Sequence, residues 1–181
     1  MILNHIEILT TKWFDYQGYL TQRRIPFWLP KERTGKRQSQ WSDMDILAIK
    51  QDEVKFVECK AFLGVAPKEM VAKRIEEHFE IGSEQIIKSY PWLKNKKKVF
   101  LLIAEAPRNL ESYKILLGNN IQVKHFEEVI EDVLRHLRTK LPPDKYKGAI
   151  GYGIKEEENM CRLLLSLLSF GFINKKGRGL C

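Results

Sequence analysis

The chain has 181 residues, 44% of them hydrophobic, and carries 31 Lys and Arg against 23 Asp and Glu, a formal charge of +8. That length and apolar content suffice for one buried core with at most a small appendage, and they exclude a disordered chain. Cys59, Cys161 and Cys181 are odd in number and lack metal-site spacing, which argues against a disulfide scaffold or a zinc site, while the basic balance suits a polyanionic partner without deciding for one.

In chain order, Ile2 to Gln17 reads as an amphipathic helix, with Ile2, Ile6, Leu9, Trp13 and Tyr16 at helical spacing and Gly18 as its stop. Arg24 to Trp28 is a candidate edge strand, because Pro26 has no N–H to give to a ladder. Lys31 to Gln40 is polar and basic and has loop composition. Residues 1–40 hold seven Lys or Arg against three acids. Lys31, Arg33, Lys36 and Arg37 are therefore candidates for nucleic-acid backbone contact, against the plainer reading of a solvated loop.

The most informative stretch is Asp43-Met44-Asp45-Ile46-Leu47-Ala48-Ile49, followed by Val54-Lys55-Phe56-Val57-Glu58-Cys59-Lys60. It reads as two hydrophobic strands joined by a tight polar turn, either Gln51-Asp52 or the four residues Lys50 to Glu53. Both turns give one antiparallel register, with Asp45 opposite Glu58 and Asp43 opposite Lys60. Side chains alternate along a strand, so Glu58 and Lys60 share a face and Cys59 points to the other, toward the core. Two carboxylates and an ammonium at one end of a hairpin suit a hard divalent cation, with the Cys59 carbonyl as a further oxygen. A metal so held activates water and stabilises charge on a phosphoryl group. A lone Glu-x-Lys would be read as a surface ion pair; the Asp at matching height on the partner strand raises it above that.

This arrangement resembles the PD-(D/E)xK nuclease superfamily, the restriction-endonuclease-like enzymes that include archaeal Holliday-junction resolvases and repair nucleases. The resemblance covers roughly residues 1–137. It implies an α/β fold with a mixed central sheet between helices, Mg²⁺ (or Mn²⁺ in its place) as cofactor, and Asp45, Glu58 and Lys60 as metal and catalytic residues. Asp45 is preferred to Asp43 because it directly precedes the Ile-Leu-Ala-Ile run; Asp43 stays as an accessory candidate. The sequence departs from the family name at Met44, where the proline would stand. Many members carry a first-helix Glu near the position of Glu7, which implies that Glu7 reaches the metal site directly or through water, against an ordinary solvated glutamate.

Downstream, Pro67 to Ser89 reads as a helix with a break near Gly82. Gln85 and Tyr90 near its end are one residue too far apart for the Gln-x-x-x-Tyr of some exonuclease branches, so Gln85 is an accessory candidate and Lys88 a phosphate candidate, against a plain polar helix face. The run Lys94 to Lys98 precedes Val99 to Ala104, a buried central strand. A short helix near Leu110 to Leu117, a turn at Gly118 to Asn120, a strand Ile121 to Val123 and a helix Phe126 to Leu137 follow.

Leu141-Pro142-Pro143 marks a boundary between a nuclease-like domain, 1–140, and a mostly helical extension, 141–181. Asn159 to Phe170 is leucine-filled on most sides and wants burial: against the core, against a second subunit in a homodimer, or in a winged-helix-like appendage. The start of the chain lacks the pattern of a signal peptide, and no apolar stretch is long enough to span a bilayer, so a cytoplasmic protein with no membrane partner is expected. The expected function is metal-dependent hydrolysis of phosphodiester bonds in DNA, duplex or branched, including junction or repair intermediates. The alternatives are a catalytically silent DNA-binding or scaffold module of the same fold, and a nuclease acting on RNA.

Overall fold

Periodicity and punctuation carry most of the architecture. The computed structural model describes residues 4–35, 37–63, 66–105 and 110–140, with side chains of the last helix described to residue 136. Its elements are α1 (His5–Tyr16), β1 (Leu20–Leu29), α2 (Lys31–Thr34), β2 (Gln40–Ile49), β3 (Glu53–Lys60), α3 (Lys68–Ser89), β4 (Lys97–Ala104), α4 (Leu110–Leu117), β5 (Ile121–His125) and α5 (Phe126–Lys140). Helix α1 starts where Asn4 caps it, its side-chain oxygen accepting from the Ile6 N–H at 3.1 Å. It stops at Gly18, whose φ of +79° only glycine adopts without strain.

The sheet runs β1-β2-β3-β4-β5. The first three strands are antiparallel, and β3, β4 and β5 are parallel. The chain is thus α/β, with a mixed sheet flanked by helices on both faces. On one face α3 and α4 pack their apolar stripes on Phe27, Met44, Leu47, Phe56 and Leu102. On the other, α1 and α5 cover Ile46, Ala48, Val57, Cys59, Leu101 and Ile103. The edge strands are β1 and β5, and an edge place for β1 is what Pro26 requires.

Two details differ from the sequence reading. The segment expected as pure loop holds a single helical turn, α2, closed by Gly35 at φ +63°. Helix α3 runs unbroken through Gly82. A Cβ there would lie 2.9 Å from Phe27 Cζ and 3.0 Å from Met44 Cε, so the glycine serves the close approach of helix to sheet and is no breaker. The lysine run after α3 fastens the β2–β3 turn: Lys96 Nζ donates to the Gln51 carbonyl at 2.6 Å, and the Lys97 N–H to that of Asp52 at 2.8 Å.

Among the described residues no helix is long and apolar enough to cross a membrane. The proposed boundary at Leu141 to Pro143, the leucine-filled stretch Asn159 to Phe170, Cys161, Cys181 and the expectations of dimerisation or a winged helix all lie outside the described residues.

Candidate functional site

The site forms where the β2–β3 ladder opens. Across the ladder Ile49 faces Val54, Ala48 faces Lys55, Leu47 faces Phe56 and Ile46 faces Val57, which is the register the polar turn dictates. The paired register stops there, and Asp45 and Glu58 are the next residues of the two strands. There the ladder bond is replaced: the Cys59 N–H donates to Asp45 Oδ2 at 2.6 Å. A strand residue turns its N–H and C=O to the same side, so the Cys59 carbonyl also points toward Asp45. Lys60 closes the group, with Nζ 2.5 Å from Glu58 Oε2 and 3.6 Å from Asp45 Oδ2. Glu58 is 2% and Asp45 8% exposed.

Burial and charge divide the three groups. Burial pushes the Asp45 carboxyl up, the neighbouring Glu58 charge adds to it, and Lys60 with the Cys59 N–H pulls back, leaving it at about 7. Burial presses Glu58 the same way, but His78 and Lys60 outweigh it and hold its carboxyl below the ordinary value. Burial would lower the Lys60 ammonium, yet Glu58 and then Asp45 keep it above its ordinary value. Glu58 and Lys60 are therefore a fixed ion pair, and Asp45 is the carboxyl that takes a proton most readily.

These donors fit a hard cation. Asp45 is disfavoured as an anion by burial and then by a second carboxylate, and Glu58 Oε1 lacks a well-aligned hydrogen-bond partner. Among the described residues no group of three or more His, Cys, Asp and Glu side chains is placed so that it could hold a metal ion. Mg²⁺ bound by one or two carboxylates, a carbonyl and water does not require such a group.

Two participants escaped the sequence reading. His78, half-buried on α3, places Nδ1 3.2 Å from Glu58 Oε1 and Nε2 2.9 Å from Ser42 Oγ, with its ring edge-on to Phe27. Neither His78 Nδ1 nor Glu58 Oε1 finds a well-aligned hydrogen bond, so two buried polar atoms confront each other across the helix–sheet interface. The available signal was position: His78 falls at helical spacing between Ile75 and Gly82, on the stripe that packs against the sheet. The other is Arg24, whose φ of +55° is the only positive value at a non-glycine among the described residues. Its Nε donates to Glu7 Oε2 at 3.2 Å.

The remaining candidates are placed as follows. Glu7 is buried with both oxygens engaged, Oε1 accepting from Asn4 Nδ2 at 2.9 Å and Oε2 from Arg24, so it acts on Asp45 by its charge. Asp43 does not join Lys60. The strand changes faces between Met44 and Ile46, and Asp43 stands exposed opposite Pro26. Gln85 is not free to line a cleft: its amide holds the Trp28 peptide on the open edge of β1, accepting from the N–H at 2.9 Å and donating to the carbonyl at 2.5 Å. Arg33 is committed to α3, with contacts of 2.6 Å to Glu84 and 3.2 Å to Glu80, and serves to dock α2. Lys31 and Arg37 are exposed, and Lys36 lies outside the described residues. Lys88 is exposed ten residues beyond His78, roughly 15 Å further along the helix axis.

A cleft of about 450 Å³ opens against Glu58, Lys60 and His78, walled by Leu29, Phe62, Leu63, Val71 and Ile75 with Arg74 and Glu77 beside them. Cys59 points away from it into the opposite core, its thiol pushed up by burial.

No family model matches the chain, and no curated protein matches it. A solved structure described as "Crystal Structure of Protein of Unknown Function AF1548" is similar with a TM-score of 0.47 and 13% identity, over 91% of this chain and 97% of that chain. A likeness of that extent bears on neither fold family nor chemistry.

Proposed function

We propose that the chain is a Mg²⁺-dependent nuclease of the restriction-endonuclease-like, PD-(D/E)xK kind, hydrolysing phosphodiester bonds in DNA. The observation that carries this reading is the convergence of Asp45, Glu58 and Lys60 at the open end of the β2–β3 ladder, with Lys60 within 2.5 Å of one carboxylate and 3.6 Å of the other. The element order, a mixed sheet between two helical layers, agrees with what the resemblance implies.

Asp45, Glu58 and the Cys59 carbonyl would hold the cation. A bound Mg²⁺ supplies Lewis acidity toward a phosphoryl oxygen and a more acidic water. The protein's own groups do the rest. Lys60, kept an ammonium by Glu58, neutralises charge growing on the phosphate and orients the attacking water, and is poorly suited to take that water's proton. Glu58 is kept an anion by Lys60 and His78. Lys31 and Arg37, both exposed, would be available for neighbouring phosphates.

The test is cleavage of plasmid, linear and four-way-junction DNA with Mg²⁺ or Mn²⁺, comparing the native chain with Lys60→Ala. We expect metal-dependent cutting by the native chain and a loss of about 100-fold or more in the variant. Cutting that survives chelation, or a variant as active as the native chain, would remove the proposal. The preferred substrate would name the subclass.

A further inference from the structure

We propose that the cleft beside Glu58 and Lys60 receives an unpaired nucleotide, so that the scissile strand is presented single-stranded, frayed or splayed and not as continuous duplex. This rests on the phosphodiesterase reading above and narrows its substrate.

Glu58 is 2% exposed and forms the inner wall of a concavity of about 450 Å³. Pockets that hold one small molecule run from roughly 300 to 1,000 Å³. Duplex DNA presents its phosphates on a convex rod with grooves up to about 12 Å wide, which cannot enter such a space. One nucleotide can. The chemistry of the walls agrees. Leu29, Val71 and Ile75 are apolar, and Phe62, 61% exposed, stands at the cleft two residues beyond Lys60. An exposed aromatic ring beside a basic group is how proteins hold unpaired bases, stacking the base and neutralising its phosphate. Arg74 and Lys60, the latter already paired with Glu58, are the cations of the cleft. Of its acids, Glu58 is paired with Lys60, and Glu77 lies 3.9 Å from Lys73. Ring, apolar wall and cations thus lie side by side, with the candidate reaction centre at their inner end.

The experiment measures binding without chemistry. In EDTA, fluorescence anisotropy would compare a labelled oligothymidylate strand, the same strand annealed to oligoadenylate as blunt duplex, and oligouridylate. We expect the single strand to bind more tightly than the duplex at equal salt. Phe62→Ala should weaken it about ten-fold, within the range that one base–aromatic stack contributes, while Phe62→Trp retains it and duplex binding is unmoved. A separate comparison of oligodeoxyuridylate with oligouridylate, which share the base, identifies the sugar. Tighter binding of the blunt duplex, or a Phe62→Ala effect that is absent or equal on both forms, overturns the inference and leaves the nuclease reading intact. Phe62-dependent strand binding with no Mg²⁺-dependent cleavage of any substrate upholds the binding site and removes the nuclease reading. The ring is exposed, so the substitutions should leave the fold unchanged, with thermal melting as the check.

Discussion

Arg24 and Asp45 stand level with each other at the one break in the β1–β2 ladder, between the pairs Arg23–Ile46 and Ile25–Met44. Both strands change faces at that point. Ile25 and Met44 pack under α3, while Ile46, two residues on and due by alternation to face the same way, packs under α1. The switch needs a residue in left-handed conformation, and Arg24 at φ +55° provides it. It frees Asp45 from the ladder to accept the Cys59 N–H, and it sends Asp43 to the far face.

Arg24 therefore bears conformational strain offset by its contact with Glu7. Arg24→Gly should be more stable than Arg24→Ala by about 1 kcal/mol, because only glycine accepts positive φ freely. Both should fall below the native chain, since Glu7 is left buried with Asn4 as its partner. Urea midpoints decide it: an alanine variant as stable as the glycine variant would mean that the left-handed turn is not held.

Asp45 and Glu58 should respond to neutralisation with opposite signs. The Asp45 carboxyl sits at about 7 in the fold against an ordinary 3.8. Between those values the folded chain binds a proton that the unfolded chain does not, so this group's stabilising contribution is lost as pH rises through that window. Asp45→Asn should thus raise the melting temperature at about pH 8, with the gain fading toward pH 4. Glu58 is held below its ordinary value, so its contribution is present above about pH 4.5 and is lost in more acid solution. Glu58→Gln should lower the melting temperature at neutral pH, by an amount that shrinks on acidification. Equal signs for the two variants would refute the division of charge described for the site.

On the proposed metal role, cation binding must expel the proton that Asp45 holds in mildly acidic solution. Mg²⁺ affinity should rise between about pH 6 and pH 8 and then level off. Calorimetry in buffers of different ionisation enthalpy should detect proton release at the lower pH and almost none at the higher. Binding without linked protons would detach Asp45 from the metal.

Gly82→Ala sets two effects against each other. Alanine in a helix interior gains about 1 kcal/mol over glycine. Its Cβ, however, would meet Phe27 Cζ at 2.9 Å, and that ring is 2% exposed with no room to swing. Overpacking of this kind costs roughly 1 to 3 kcal/mol, so the variant should be less stable on balance. A rise in melting temperature would show that Phe27 yields more readily than its burial implies.

The boundaries of α4 at Leu110 and Leu117 and the register of the β2–β3 hairpin were legible because each depends on neighbours a few residues away: helical spacing for the first, a polar turn at 51–52 and strict alternation for the second. For the same reason Glu58 and Lys60 could be placed on one face and Cys59 on the other. Alternation failed at Asp43. It assumes a regular strand, and the irregularity at Asp45 is coupled to the backbone of Arg24, a strand away.

His78, Gln85 and Arg33 show the other limit. By sequence all three are polar residues of surface type. One faces Glu58, one holds the Trp28 peptide and one docks on Glu80 and Glu84, at separations of 20, 57 and at least 47 residues. The sequence by itself determined the α/β element order, the edge position of β1 and the place of Asp45, Glu58 and Lys60 at one end of the β2–β3 hairpin, because period, proline and turn residues act locally. Only the tertiary structure decided which carboxyl is strained, which cations are already paired, and that the cluster opens into an apolar cleft under Phe62. Those properties depend on burial and through-space charge, which follow distance in the fold and not distance along the chain.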